Sequence, residues 1–239
     1  MSDASFENEL NVLGDAVGEA TQVFYTYLSI HRLLESRLDM RTLVNDNFLF
    51  MRTVLGSLRA STYIFIYKIF EIRQDTYNLE GLMRAARRDV DEFSPEAFCA
   101  RKVKHNFRDT PLWLKDQVED MYVPTVADFD ELDNVGVRWR KLFKEKFKDQ
   151  RNKWYGHREF SSDIDASAQL PETTVEDAEL LLAYLNNLHN GLWKLYHNAR
   201  KIDISTLSAP SIQFDIAALQ ARTKQATHLF FGKVLGAYP

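Results

Sequence analysis

Apolar residues recur along this chain at steps of three and four, the period of an α-helix rather than the alternation of a strand. The first such stretch runs from about Ser5 to Arg37, with Leu13, Val17, Phe24, Tyr27, Leu28 and Leu34 on one side. The second runs from about Val44 to Arg73 and carries Met51, Val54, Leu55, Leu58, Thr62, Phe65, Ile66, Ile69 and Ile72. Its segment TYIFIYKIFEI has the local propensity of a buried strand, but the helical period continues on both sides and predicts a helix. A third stretch opens near Asp128, with Glu131 as the partner in a capping box, and runs to about Tyr155. Its stripe is Phe129, Leu132, Val135, Trp139, Phe143, Phe147 and Trp154, and Gly156 is placed to end it. A fourth, opened by Thr173 with Glu176, reaches about Arg200 on Leu181, Leu182, Leu185, Leu188, Leu192 and Leu195.

Shorter helices fit between the second and third. Asn78 can cap LEGLMRAARRDV, and Ser94-Pro95 and Thr110-Pro111 each set a capping side chain before a proline at the first helical position. A last helix is expected over about Phe214 to Gly232, beyond a loop that contains Pro210. Four long amphipathic helices pack most simply as an antiparallel four-helix bundle. The expected class is therefore all-α. Residues 1–239 form one domain on this reading, with the bundle core over about 5–200 and a C-terminal helical extension over about 201–239.

Composition narrows the picture. In 239 residues there are only 9 Gly and 6 Pro, which suits few and long elements. The single cysteine, Cys99, permits no internal disulfide and no cysteine-based metal site. His189 and His197 lack the spacing and neighbouring acids that zinc favours. MSDASFENEL is acidic and has no apolar core, so it does not read as a secretory signal. The most apolar window is too short and carries Lys68 and Glu71, so no membrane span is expected. These features predict a cytoplasmic protein.

Charge changes the picture most. Between Arg138 and Arg158 stand nine basic residues, Arg138, Arg140, Lys141, Lys144, Lys146, Lys148, Arg151, Lys153 and Arg158, opposed by Glu145 and Asp149. The segment carries +7 in a chain of net −4, which leaves −11 for the rest. In an α-helix Arg140, Lys144, Lys148 and Arg151 share one strip beside the apolar stripe, at a spacing that can follow a phosphate backbone. Lys153 adds a further cation, and Trp154 and Tyr155 are placed to stack on bases. The same cations also match the dipole at a helix C-terminus, so a solvated face is the competing reading. Gly156 lets the chain bend before His157, so that its imidazole can share an anion with Arg151. An imidazole can move the protons of RNA cleavage at neutral pH, and a guanidinium can hold the phosphate. Taken alone, His157 reads better as a capping or half-buried core histidine. Glu71 and Asp75 can be read as orienting Arg151 across the bundle, or as ordinary charges at a helix end.

The stretch Arg151-Asn152-Lys153-Trp154-Tyr155-Gly156-His157 resembles the marker of the HEPN superfamily, an arginine with a polar residue after it and a histidine a few residues on. A second stretch of the same form, Arg222 to His228, lacks the surrounding pattern. That pattern includes Pro171 ahead of the capped helix TTVEDAELLLAYL. It also includes YIFIYKIFEIRQDTYNLEGLM, which looks like the second helix of the abortive-infection (AbiU-type) branch. The resemblance covers about Val44 to Arg200. It implies a homodimeric, metal-independent endoribonuclease without cofactor, whose two motifs meet at the dimer interface, often in a toxin or phage-defence setting with an antitoxin partner. Carried onto this chain, it makes Arg151 and His157 catalytic and Asn152 a positioning residue. Some HEPN toxins carry a modifiable tyrosine where this chain has Glu159, and some HEPN domains cleave nothing. The alternative is therefore a non-catalytic helical module that binds RNA or a protein through the same basic rim, with a structural role in a complex as the third.

Overall fold

The computed structural model describes residues 5–37, 41–42, 45–73, 76–106, 112–148, 173–210 and 221–230. The chain is all-α, and the described residues contain no strand. Helix α1, Phe6–Ser36, starts at Ser5, whose hydroxyl accepts from the Asn8 N–H at 3.4 Å. It buries Phe6, Leu10, Leu13, Val17, Phe24 and Leu28 on one side. Helix α2, Phe48–Phe70, is shorter at both ends than its periodicity predicts, and Ile72 lies beyond it, 70% exposed. The strand-like stretch is helical: Thr62, Tyr63, Ile66, Ile69 and Phe70 are buried at helical spacing. Tertiary burial has overridden local β-propensity.

Helix α3, Leu79–Arg88, is capped by Asn78, whose carbonyl accepts from the Gly81 N–H at 2.8 Å while its amide donates to the Arg73 carbonyl at 2.8 Å. A 3-10 turn, Val90–Phe93, leads into α4, Pro95–Asn106, where the Ser94 hydroxyl accepts from Ala97. Helix α5 spans Leu112–Glu119, and the expected Thr110-Pro111 start lies outside the described residues.

Helix α6, Val126–Phe143, continues into a π turn, Lys144–Lys148. Its capping box is Thr125 with Asp128, so the pair expected from Asp128 and Glu131 sits one turn too late. Asp128 is the third helical residue, and its carboxylate accepts from the Thr125 N–H at 2.7 Å. Helix α7, Val175–Asn198, is capped by Thr174 with Asp177, one position beyond the expected Thr173 and Glu176. The Thr173 hydroxyl is engaged elsewhere, on the Lys146 carbonyl at 2.7 Å. All six leucines expected on the core face of α7 are buried. A short turn, α8 (Ser205–Ser208), follows, and residues 221–230 are helical; the rest of the helix expected over Phe214 to Gly232 lies outside the described residues.

Side-chain pairs give the direction of packing. Phe6 meets Tyr196, and Asn186 donates to the Thr21 hydroxyl at 3.0 Å, so α1 and α7 run antiparallel. Ile30 and Leu33 share a cluster with Met51, which sets the end of α1 against the start of α2. Phe70 stacks on Phe143 and Tyr63 contacts Phe147, so α2 and α6 also run antiparallel. Trp139, 2% exposed, stacks on Tyr184 at 5.2 Å and donates its indole N–H to the Leu207 carbonyl. One continuous core joins α1, α2, α3, α6 and α7. No helix among the described residues is long and apolar enough to cross a membrane.

Candidate functional site at the end of α6

The apolar stripe of α6 holds to its last described turn. Phe143 lies 4.8 Å from Phe70 with near-parallel rings, and Phe147 lies 5.6 Å from Tyr63. Between them the winding loosens from α to π, with i→i+5 hydrogen bonds in place of i→i+4. A straight α-helical strip of cations therefore ends at Lys144.

The expected cations separate into two groups. Lys144 and Lys148 are exposed. Arg140 is half-buried and turned back along its own helix, donating to the Asp133 carboxylate at 2.6 Å and to the Asp133 carbonyl at 2.9 Å. Arg87 of α3 donates to the same carboxylate at 2.9 Å and to Asp130 at 2.7 Å. Burial alone would raise the Asp133 carboxyl, but the two guanidiniums outweigh it and hold it below its ordinary range. Arg140 thus helps to fasten α3 to α6. Arg151, Asn152, Lys153, Trp154, Tyr155, Gly156 and His157 lie outside the described residues, as does Asp75. The antiparallel pairing carries α6 from the level of Phe70 toward that of Tyr63, away from Glu71. Glu71 stands at the C-cap of α2, and its expected pairing with Arg151 falls outside the described residues.

The segment holding the motif leaves after Lys148 and returns at Thr173, and these two points are close. The Thr173 hydroxyl donates to the Lys146 carbonyl, tying the start of α7 to the end of α6. Beside this tie lies a cavity of about 220 Å³ whose wall includes Tyr27, Arg59, Thr62, Tyr63, Phe147 and Thr173. Tyr27 packs on His31 with ring centroids 4.4 Å apart. Burial lowers the His31 pKa, Glu35 opposes the change, and the nearby positive charge of Arg59 lowers it further. The groove therefore combines aromatic walls, hydroxyls and a cation, while farther along the α1–α2 pair a second groove is rimmed by Glu9, Asp15, Glu19 and Glu71.

Sequence reasoning took Tyr27 only as part of a core stripe and passed over Arg59 and Tyr63. Arg59 had a signal, being the single charge between Arg52 and Lys68 on an otherwise neutral helix. Thr173 was expected as a cap, and nothing local announces that it reaches α6.

The family model for HEPN AbiU2, described as AbiU2, matches residues 3–215, which takes in every long helix and the segment that joins α6 to α7. Neither the curated proteins nor the solved structures contain a match to this chain. With nine-tenths of its length matched, the chain belongs to the AbiU2 family of HEPN proteins.

Proposed function

We propose that this chain is a metal-independent endoribonuclease of HEPN type, acting as a homodimer through Arg151 and His157. One observation carries the reading. In a member of this family, the Arg151-to-His157 motif follows directly on the basic end of α6, in a segment tied at both ends to the rim of one groove. Arg151 follows three positions after Lys148 in the sequence, and three residues of chain span at most about 11 Å.

The chemistry needs only the residues of this chain. The His157 imidazole takes the proton of a ribose 2′-hydroxyl, and the oxygen so released attacks the adjacent phosphorus. The bond from phosphorus to the 5′-oxygen breaks, and that oxygen leaves as a hydroxyl after accepting a proton from an imidazolium. The products are a 2′,3′-cyclic phosphate and a 5′-hydroxyl end. Two copies supply two imidazoles, one for each proton transfer. The Arg151 guanidinium balances the charge that grows on the phosphoryl oxygens. Asn152 positions the phosphate, while Lys144, Lys148, Lys153, Trp154 and Tyr155 hold the flanking strand. A toxin or phage-defence setting, with an antitoxin that restrains the enzyme, suits such an activity.

The test is cleavage of labelled RNA by purified protein in EDTA, alongside an Arg151→Ala/His157→Ala variant and a measurement of mass in solution. The expected result is a dimer that leaves cyclic-phosphate ends, with cleavage abolished in the variant. RNA that is bound but never cut by either protein would replace the nuclease with a binding module. Cleavage that persists in the variant would move the active site elsewhere.

A further inference from the structure

We propose that the groove between the start of α1 and the end of α2 is a binding site for a linear polyamine such as spermidine. It lies farther along the α1–α2 pair than the Thr173–Lys146 tie and includes no residue of the Arg151–His157 motif, so the proposal stands apart from the nuclease reading. The groove holds about 510 Å³, within the roughly 300–1,000 Å³ of small-molecule sites.

Its floor is apolar and its rim is charged. Val12, Leu13 and Ala16 of α1 and Phe65 and Ile69 of α2 make the floor. Glu9, Asp15, Glu19 and Glu71 set four carboxylates around it, against the one ammonium of Lys68. Four negative charges and one positive charge leave −3. No ion pair or side-chain hydrogen bond occupies any of the four carboxylates among the described residues. The other polar groups on the wall are neutral. Asn78 uses its amide on the Arg73 and Thr76 carbonyls and its oxygen on the Gly81 N–H. The hydroxyls of Thr76 and Tyr77 each accept from an asparagine amide. The character of the groove therefore comes from its charges.

The placing of those charges selects the shape of the cation. Along α1 the rise from Glu9 to Asp15 is about 9 Å and from Asp15 to Glu19 about 6 Å, so these carboxylates do not converge on a point. Among the described residues no group of three or more His, Cys, Asp or Glu side chains is placed to hold a metal ion. A chain of ammonium groups joined by methylenes matches both features of the groove. Its charges meet the separated carboxylates, and its methylenes lie on the apolar floor, as the stems of lysines do elsewhere. The rings suit it too. The Lys68 Nζ already stands 5.6 Å from the Phe65 ring centroid, and Tyr77, 50% exposed, offers a second face for an ammonium. Glu9 supplies a separate observation. Its Oε2 is buried without a hydrogen-bond partner, and burial raises its pKa against the opposing charges of Arg88 and Arg84. An ammonium carries three donors and brings that carboxylate the partner it lacks. Spermidine, a trication, balances the −3 of the groove.

The test is calorimetric titration of the nucleic-acid-free full chain with spermidine, putrescine and Mg²⁺ in turn. One spermidine per chain is expected, bound at least about tenfold tighter than putrescine, which has one ammonium fewer, or Mg²⁺. Glu9→Gln keeps the shape and removes the charge, and is expected to cost about tenfold in spermidine affinity. Its thermal melting without ligand should be unchanged or higher, which shows that it folds. Glu119→Gln makes the same charge change on α5, outside the groove, and is expected to leave affinity within about twofold of the parent. Lys68→Ala removes the competing ammonium and is expected to tighten spermidine by about threefold. Spermidine, putrescine and Mg²⁺ binding within about twofold of one another would mark a diffuse acidic surface and overturn the site. Equal losses in Glu9→Gln and Glu119→Gln would overturn it as well. An octalysine peptide that binds where spermidine does not would give the groove to a protein partner instead.

Discussion

The hydroxyl of Thr173 reaches 27 residues back along the chain to the carbonyl of Lys146 and closes on it at 2.7 Å. That bond joins the last described turn of α6 to the first residues before α7. Thr173→Val keeps the side-chain shape and removes the donor. The variant is expected to lose about 1 kcal/mol in denaturant unfolding. Its RNA cleavage is expected to fall by more than that loss explains, because the tie sets the distance between the ends of the motif segment. A cleavage rate unchanged in a variant of lowered stability would show the bond to be purely structural.

Asp133 holds two guanidiniums, Arg140 of its own helix and Arg87 of α3. Its folded pKa is depressed, so its contribution is present above the unfolded value near 3.9 and is lost as pH falls through the folded one. Asp133→Asn leaves both arginines without their shared anion and is expected to cost about 2 kcal/mol at pH 7. The difference between variant and parent should shrink as pH drops below about 4. Urea unfolding at a series of pH values measures both effects.

Gly14 leaves space on α1 for His189 of α7, since a Cβ placed there would collide with the imidazole Nε2. Alanine normally stabilises a helix over glycine by about 1 kcal/mol. Here the clash should reverse the sign, and Gly14→Ala is expected to destabilise by about 1–3 kcal/mol. Gly18, where a Cβ would have nothing within 4 Å, is the control in which alanine should stabilise. Thermal melting of the two variants decides the matter.

Lys144 and Lys148 face solvent at the end of α6, whereas Arg140 is held by Asp133. Replacing both lysines by alanine should weaken RNA binding and flatten its dependence on salt. For a single strand the slope of log K against log salt changes by about 0.7 for each phosphate that is no longer neutralised, so a change of about 1.4 is expected. Fluorescence anisotropy over a salt series gives the slope, and an unchanged slope would remove these lysines from the interface.

Local features of this molecule were readable in the sequence because their causes lie within a few residues. Ser5, Asn78 and Ser94 cap helices through bonds to N–H groups three residues on. The core stripes of α6 and α7 follow from spacing alone. The two capping boxes that shifted show where locality ends. Thr173 and Thr174 are chemically alike, and which one caps α7 depends on a carbonyl in another helix. Arg140 looked like one of a row of free cations because its partner, Asp133, is seven residues away, outside the usual three- or four-residue pairing. The groove is assembled from α1, α2 and the two ends near Phe147 and Thr173, so no window of sequence contains it.

The π turn at Lys144–Lys148 acts on everything that follows it. Winding its five residues as ordinary α-helix, with none deleted, would turn the outgoing chain by roughly 100° around the α6 axis. Composition and charge would stay the same, yet the chain would depart from Lys148 on a new bearing. A family member whose residues favoured α winding over this turn could keep every motif letter and aim it at the wrong place.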